Sequence, residues 1–395
     1  MHGENMQEET RRRVMFGNGE RDYSVDMMRS ISCFMVVLTH TSLFLILTGP
    51  YDAPDGVSSD WLSLSFIRCL TVAATNLFLM ISGIFFLSPE RNVSISKIWS
   101  KNILKLSLAY IVWSMIYALL RIFYVNPEPF TWKTFCTEAL VQEFHLWYIP
   151  MMIGIYVLVP FMRFFTAHAE RKHYLYMIAL MIGAIALNSL SEFNGVYEYH
   201  YSESIVTMIS RTPVKYLCRY PFYCILGYYL YTYRPKLKTR ICLYILGIAG
   251  VIFSLWCTTF LYVETGNPNE TVLIGKFSIG ILAKNTALFV FVITVFSRIK
   301  MSSGFKKLLS KISAATLFIY LSHVVLMRIF LQEEWLFDTS MSIPLISIVW
   351  AVVIYFVLFL VSLLFLQMIP WARMRNCVLD AVWPNRRIWN GGRKK

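Results

Sequence analysis

Near the start of the chain, residue types and spacing suit proton chemistry beside an anion. Asp26-Met-Met-Arg29 is followed, after ten further residues, by His40. On an α-helix, eleven steps of 100° come to about 20° beyond three full turns, so Arg29 and His40 share one stripe, about 16 Å apart along the axis. A guanidinium at the mouth of a groove can hold an anionic donor, and an imidazole deeper in the same groove can take a proton at a reacting centre. A plainer reading exists. Arg29 snorkels to lipid phosphates and His40 hydrogen-bonds a neighbouring helix. Spacing alone admits both.

Other candidates follow along the chain. Lys97, Lys101 and Lys105 recur every fourth residue, a stripe suited to phosphates or to ordinary interfacial charge. Glu143-Phe-His145-Leu-Trp147-Tyr148 opens an apolar run, with Trp147 and Tyr148 as an interfacial belt and Glu143 and His145 placed to orient an acceptor. Arg211, Lys215 and Arg219 are again four apart, and Arg68, Arg121, Lys284 and Arg328 lie inside apolar runs. Six of these cations, Arg68, Arg121, Lys215, Arg219, Lys284 and Arg328, suit a pocket for an anionic acceptor or lipid-linked phosphate, although some only snorkel or pair with nearby carboxylates. Ser322-His323 falls midway along a late run, where a histidine serves either a polar pocket or a helix–helix hydrogen bond. The chain has no G-x-S-x-G elbow, phosphate-binding P-loop, H-E-x-x-H or G-x-G-x-x-G, so serine hydrolase, ATPase and metalloprotease chemistry are unsupported. None of the eight cysteines forms a C-x-x-C pair, and no metal is expected.

The elements that must position these residues are membrane helices. Of 395 residues, 57% are hydrophobic and 15% charged, and the mean hydropathy is +0.54. Such a balance excludes a soluble enzyme, and the net charge of +14 fits basic loops beside a membrane better than nucleic-acid binding. Ten apolar runs of spanning length are expected: 24–47, 64–87, 104–124, 146–165, 174–190, 214–233, 241–263, 277–297, 313–331 and 343–369. With the N-terminus cytoplasmic, the inner segments carry 27 of the 37 Lys and Arg, and the outer segments 14 of the 23 acidic residues. This asymmetry predicts an all-α polytopic protein with ten spans and both termini cytoplasmic. The expected organisation is an N-terminal cytoplasmic tail (1–22), one ten-helix membrane domain (23–370) and a basic cytoplasmic tail (371–395). The long first run lacks a small-residue cleavage site and reads as an uncleaved anchor.

Four stretches together resemble the acyltransferase family 3 membrane proteins. Arg29 and His40 match the family's Arg/Lys, ten residues, His. Leu77-Phe78-Leu-Met-Ile-Ser82-Gly83 resembles its F-F-x-x-S-G. His145-Leu-Trp147-Tyr148, with Tyr156 and Pro160, resembles its H-L-W-(F/Y) segment ending in Y-x-x-x-P. Ile319-Tyr320-Leu321-Ser322-His323 resembles its late I-Y-L-x-H. The order is the family's and the matches cover nearly the whole chain. Where many members carry a Glu pair this chain has Met152 and Ile153, so it looks closer to the branch of the enterobacterial common antigen O-acetyltransferase. A cytoplasmic R-x-x-R falls here on Asn102 and Lys105, and a lysine binds phosphate as a point charge and not as a bidentate fork.

The resemblance implies a ten-helix fold and transfer of an acyl group, usually acetyl, from cytoplasmic acyl-CoA (acetyl-CoA) to a hydroxyl of an extracytoplasmic surface or lipid-linked glycan. It also implies a multi-pass protein of a bacterial cytoplasmic membrane. His40 carries over as the essential histidine and Arg29 as its motif partner. The expected donor contacts are Arg29, Lys101 and Lys105. The expected acceptor contacts are Glu143, His145, Trp147, Arg219 and His323. Membrane lipid and a second copy of the chain are further expected partners, nucleic acid is not. With no further domain expected after the last span, the chain meets the acceptor itself or hands the acyl group to a separate protein. The competing reading is a carrier of a small amino acid or acylated intermediate.

Overall fold

The computed structural model describes residues 21–49, 51–53, 56–91, 93–196, 219–269, 275, 277–331 and 341–368. Among these the chain is helical, apart from two-residue strands β1 (Asp52–Ala53) and β2 (Gly56–Val57) paired antiparallel. The helices are α1 (Tyr23–Thr48), α2 (Ser59–Thr71), α3 (Thr75–Phe86), α4 (Leu104–Leu120), α5 (Trp132–Leu140), α6 (Tyr148–His168), α7 (Arg171–Val196), α8 (Tyr220–Thr232), α9 (Leu237–Thr265), α10 (Ile279–Phe296), α11 (Ser303–Phe330) and α12 (Ile343–Met368), with a short turn at Ile95–Lys97. π-helical segments Ile98–Ile103 and Arg121–Val125 flank α4.

Among the described residues, eight stretches are long and apolar enough to cross a bilayer: Tyr23–Thr48, Ser59–Phe86, Ile95–Val125, Tyr148–His168, Leu237–Thr265, Ile279–Phe296, Ser303–Phe330 and Ile343–Leu364. Helix is the form such segments take because lipid offers their backbone no hydrogen-bond partner. Of the other two expected runs, 174–190 lies within α7, and 214–233 ends in the 13-residue α8. Residues 214–218, Arg211, the stretch 1–20 and the stretch 371–395 lie outside the described residues. The outward face of α9 shows the lipid-facing stripe such a protein needs, with Ile241, Ile245, Ile248, Ile252 and Trp256 all exposed.

Polar side chains set helix starts. Asp22 accepts from the Ser24 amide at 2.9 Å, and Ser278, Ser302 and Thr131 cap α10, α11 and α5 in the same way. Gly266 ends α9 at φ +67°, a conformation a glycine adopts without steric penalty.

The chain forms two compact units, one of Met1–Arg91 with Phe161–Val357 and one of Asn92–Pro160 with Leu358–Lys395. In the first unit, α1 and α11 run parallel. Arg29 meets Ser313, the Cys33 thiol donates to the Thr316 carbonyl, and His40 meets His323. The first half of α12 runs antiparallel to α1. Ser347 bonds Ser42 at 2.9 Å, and the Tyr355 hydroxyl reaches the Ser30 carbonyl at 3.3 Å. Helices α3 and α8 are antiparallel and touch through glycine. A Cβ on Gly83 would overlap the Cys224 carbonyl, and one on Gly227 the Met80 carbonyl. Close backbone approach is what small residues permit in membrane helices.

The second expected run, 64–87, is not one helix. It breaks between Thr71 and Thr75, and Ala73 has φ +57°, the single non-glycine positive φ among the described residues. A left-handed L-residue costs about 1–2 kcal/mol. Two side chains of α10 take the freed carbonyls: Lys284 Nζ donates to Val72 at 2.6 Å and Asn285 Nδ2 to Ala73 at 3.2 Å. Val72-Ala73-Ala74 contains neither glycine nor proline, so nothing local announces the break.

Candidate functional site

Two parallel helices build the candidate centre. On α1, Arg29 and His40 lie on one stripe, as their spacing requires. On α11, Ser313 and His323 are ten residues apart and stand opposite them. The His40 and His323 rings stack with centroids 5.2 Å apart and planes 27° from parallel. His323 is fully buried and its Nδ1 lies 2.7 Å from the Tyr320 carbonyl. A carbonyl oxygen only accepts, so Nδ1 carries the proton and Nε2 is the basic nitrogen. His40 is half-buried, with its ring plane set by His323. An imidazole so held can take and return a proton.

The other end of the stripe is strongly basic. Arg29 donates to Ser313 Oγ at 3.2 Å, and Ser313 donates to Asp26 Oδ1 at 2.6 Å. Asp26 is 5% exposed and is held by Arg21 at 2.5 and 3.1 Å, with Arg29 3.9 Å away. Two guanidiniums lie over the Phe85 ring, Arg29 at 5.4 Å and Arg91 at 4.9 Å from its centroid. Arg163 holds the turn that presents Arg91, donating to the carbonyls of Phe86, Ser88 and Arg91. The hydrogen bond to Asp26 pushes the Arg21 guanidinium above its ordinary range, and burial pulls Arg91 below its own. Among the described residues, the guanidiniums of Arg21, Arg29 and Arg91 outnumber the carboxylates of Asp22 and Asp26 and leave this end positive, which suits a molecule carrying several phosphates. Sequence reading identified Arg29 but not Arg21, Ser313, Phe85 or Arg91. Asp26-x-x-Arg29 was the one local signal of the network, and the remaining partners come from distant segments.

The other sequence-predicted residues separate by unit. Arg219 precedes α8 in the first unit, with its guanidinium 5.5 Å from the Phe277 ring. Lys101 and Lys105 are exposed in the second unit, on Ile98–Ile103 and α4. Glu143, His145 and Trp147 are also in the second unit, on the turn before α6. Glu143 is 4% exposed and bonded to Arg121 at 2.7 Å. His145 is buried edge-on against Tyr117 at 5.1 Å, and Trp147 packs edge-on against Tyr148 at 6.0 Å. Arg121 also takes Glu138 at 2.6 Å, so the acidic residue expected to face an acceptor has a structural partner.

Apolar helices of spanning length, with stacked imidazoles and a basic cluster at the other end of the same stripe, define a polytopic helical membrane protein. A family model described as an acyltransferase domain matches residues 22–367, from the cap of α1 to the end of α12. The chain belongs to acyltransferase family 3 and is an integral membrane acyltransferase. No curated protein and no solved structure matches it.

Proposed function

We propose that the protein transfers an acetyl group from cytoplasmic acetyl-CoA to a hydroxyl of an extracytoplasmic surface glycan, across the inner membrane of a bacterium and within the enterobacterial common antigen O-acetyltransferase-like branch. The observation that carries this reading is the parallel alignment of α1 and α11, which sets His40 on His323 and Arg29 on Ser313 along one stripe. The donor's phosphates meet Arg29 and Arg91. The pantetheine arm follows the stripe toward His40. The acceptor hydroxyl gives its proton to His40 while its oxygen bonds to the thioester carbonyl carbon. The C–S bond breaks, and the departing thiolate takes that proton. His323 is a positioning residue: its face holds the His40 ring, and Tyr320 holds its own. A route through an acyl-His40 intermediate yields the same products and is distinguished by trapping labelled enzyme before acceptor is added.

Membranes supplied with labelled acetyl-CoA, followed by mass analysis of surface glycans, test the reading. His40→Ala at normal expression is expected to lower glycan acetylation by about 10²–10⁴-fold, the usual contribution of a general base. Retained acetylation overturns the role. Arg29→Ala is expected to raise KM for acetyl-CoA more than it lowers kcat.

A further inference from the structure

The break between α2 and α3 gathers two buried cations that the acyl-transfer reading does not use. Arg68 on α2 is 6% exposed and Lys284 on α10 is 5% exposed. Neither has an ion-pair partner among the described residues. Lys284 Nζ, a triple donor, makes the single bond to Val72 O, and Arg68 Nε has no hydrogen-bond partner. The Cys69 sulfur is within electrostatic reach of both. Beside them Asn285 Oδ1 and Thr75 Oγ1 are buried and also without partners. A buried guanidinium keeps its charge and a buried amine keeps its own only beside an anion, so an anion joining the two would relieve the cost of burial, and an ionisable side chain inside a membrane span marks a functional site by default.

We propose that Arg68, Lys284 and the polar groups of the α2–α3 break bind a phosphate ester carried by a lipid. The charge balance calls for an anion that can meet two cations, and a guanidinium fork and an ammonium are matched to phosphate oxygens. Thr75 supplies a further hydroxyl. The source is a lipid because α2 presents Leu62, Phe66 and Leu70 outward at 40%, 44% and 40% exposure, so the helix bearing Arg68 has acyl chains along its other face. A phospholipid headgroup and a polyprenyl phosphate share this chemistry. The site is independent of the role given to His40 and asks only that the chain span a bilayer.

Native mass spectrometry of the full-length protein in detergent tests it with three probes: dioleoyl phosphatidylglycerol, undecaprenyl phosphate and dioleoylglycerol, which lacks phosphate. The wild type is expected to bind at least one phosphate lipid about tenfold more tightly than dioleoylglycerol, and Lys284→Met to lose about that factor. The preferred phosphate probe identifies the source, and either preference supports the site. Arg68→Lys keeps the charge and is expected to bind within a few-fold of wild type, which provides a readout if Arg68→Met fails to assemble. No preference over dioleoylglycerol, or equal phosphate binding by wild type and Lys284→Met, overturns the proposal. Either result leaves the His40 assay untouched.

Discussion

Arg121 and Arg68 are alike in sequence, each a lone arginine inside an apolar run, and opposite in structure. Arg121, at the end of α4 in the second unit, bonds two carboxylates at 2.6 and 2.7 Å and the carbonyls of Glu138 and Val141 at 2.5 and 3.0 Å. Arg68, in the first unit, has no ion pair among the described residues, and neither has Lys284. A buried cation whose own unit supplies carboxylates is a fastener. One with no carboxylate partner among the described residues is left for another anion to meet. The contrast also sorts the acidic residues: Glu143, attractive from its place beside His145-Leu-Trp147, is consumed by Arg121.

Mutations can break this contrast or sharpen it. The largest effect is expected for Arg121→Met, which strands Glu143 at 4% exposure; breaking a buried pair costs about 3–5 kcal/mol, read as a fall in unfolding midpoint in detergent. An unchanged midpoint would remove the fastener role. Gly83→Ala is expected next, at about 1–3 kcal/mol, because its Cβ meets the Cys224 backbone and not a flexible side chain. Gly154→Ala, with nothing within 4 Å of its Cβ, is the matched control and should be neutral or slightly stabilising. Lys284→Met should cost less than Arg121→Met. In detergent without phosphate lipid, removing an uncompensated charge offsets the lost hydrogen bond to Val72, so the midpoint is expected to fall by no more than about 1–2 kcal/mol. A large loss there would make Lys284 a fastener too, acting through Val72. The smallest effect belongs to the exposed pair Lys172–Glu170 at 3.0 Å. Lys172 holds the Glu170 carboxyl below its ordinary range, so any contribution is present at neutral pH and lost as pH falls through that lowered value. Full exposure screens it, and Lys172→Ala should give superimposable melting curves at pH 7 and pH 4.

Legibility followed the range of the interactions. The Arg29–His40 stripe was readable because helical period alone puts residues eleven apart on one face. Membrane residence was readable because apolar runs of spanning length have few other stable environments. Gly83 was readable as part of the Ser82-Gly83 motif, and the structure sets it against Cys224. The break at Val72–Ala74 was not readable, because its cause lies more than two hundred residues away in Lys284 and Asn285. Arg91 carried no signal in the sequence; Arg163 holds its turn, and its guanidinium and that of Arg29 both lie over the Phe85 ring.

By itself the sequence determined that the chain is helical, that it belongs in a membrane, and that a guanidinium and an imidazole share a stripe of the first helix. Periodicity and transfer free energy act on neighbouring residues and need no fold to be read. Tertiary structure decided which distant helix faces that stripe, why His323 stacks on His40, and which cations find carboxylates. Those outcomes depend on contacts between segments whose pairing and direction no local pattern encodes.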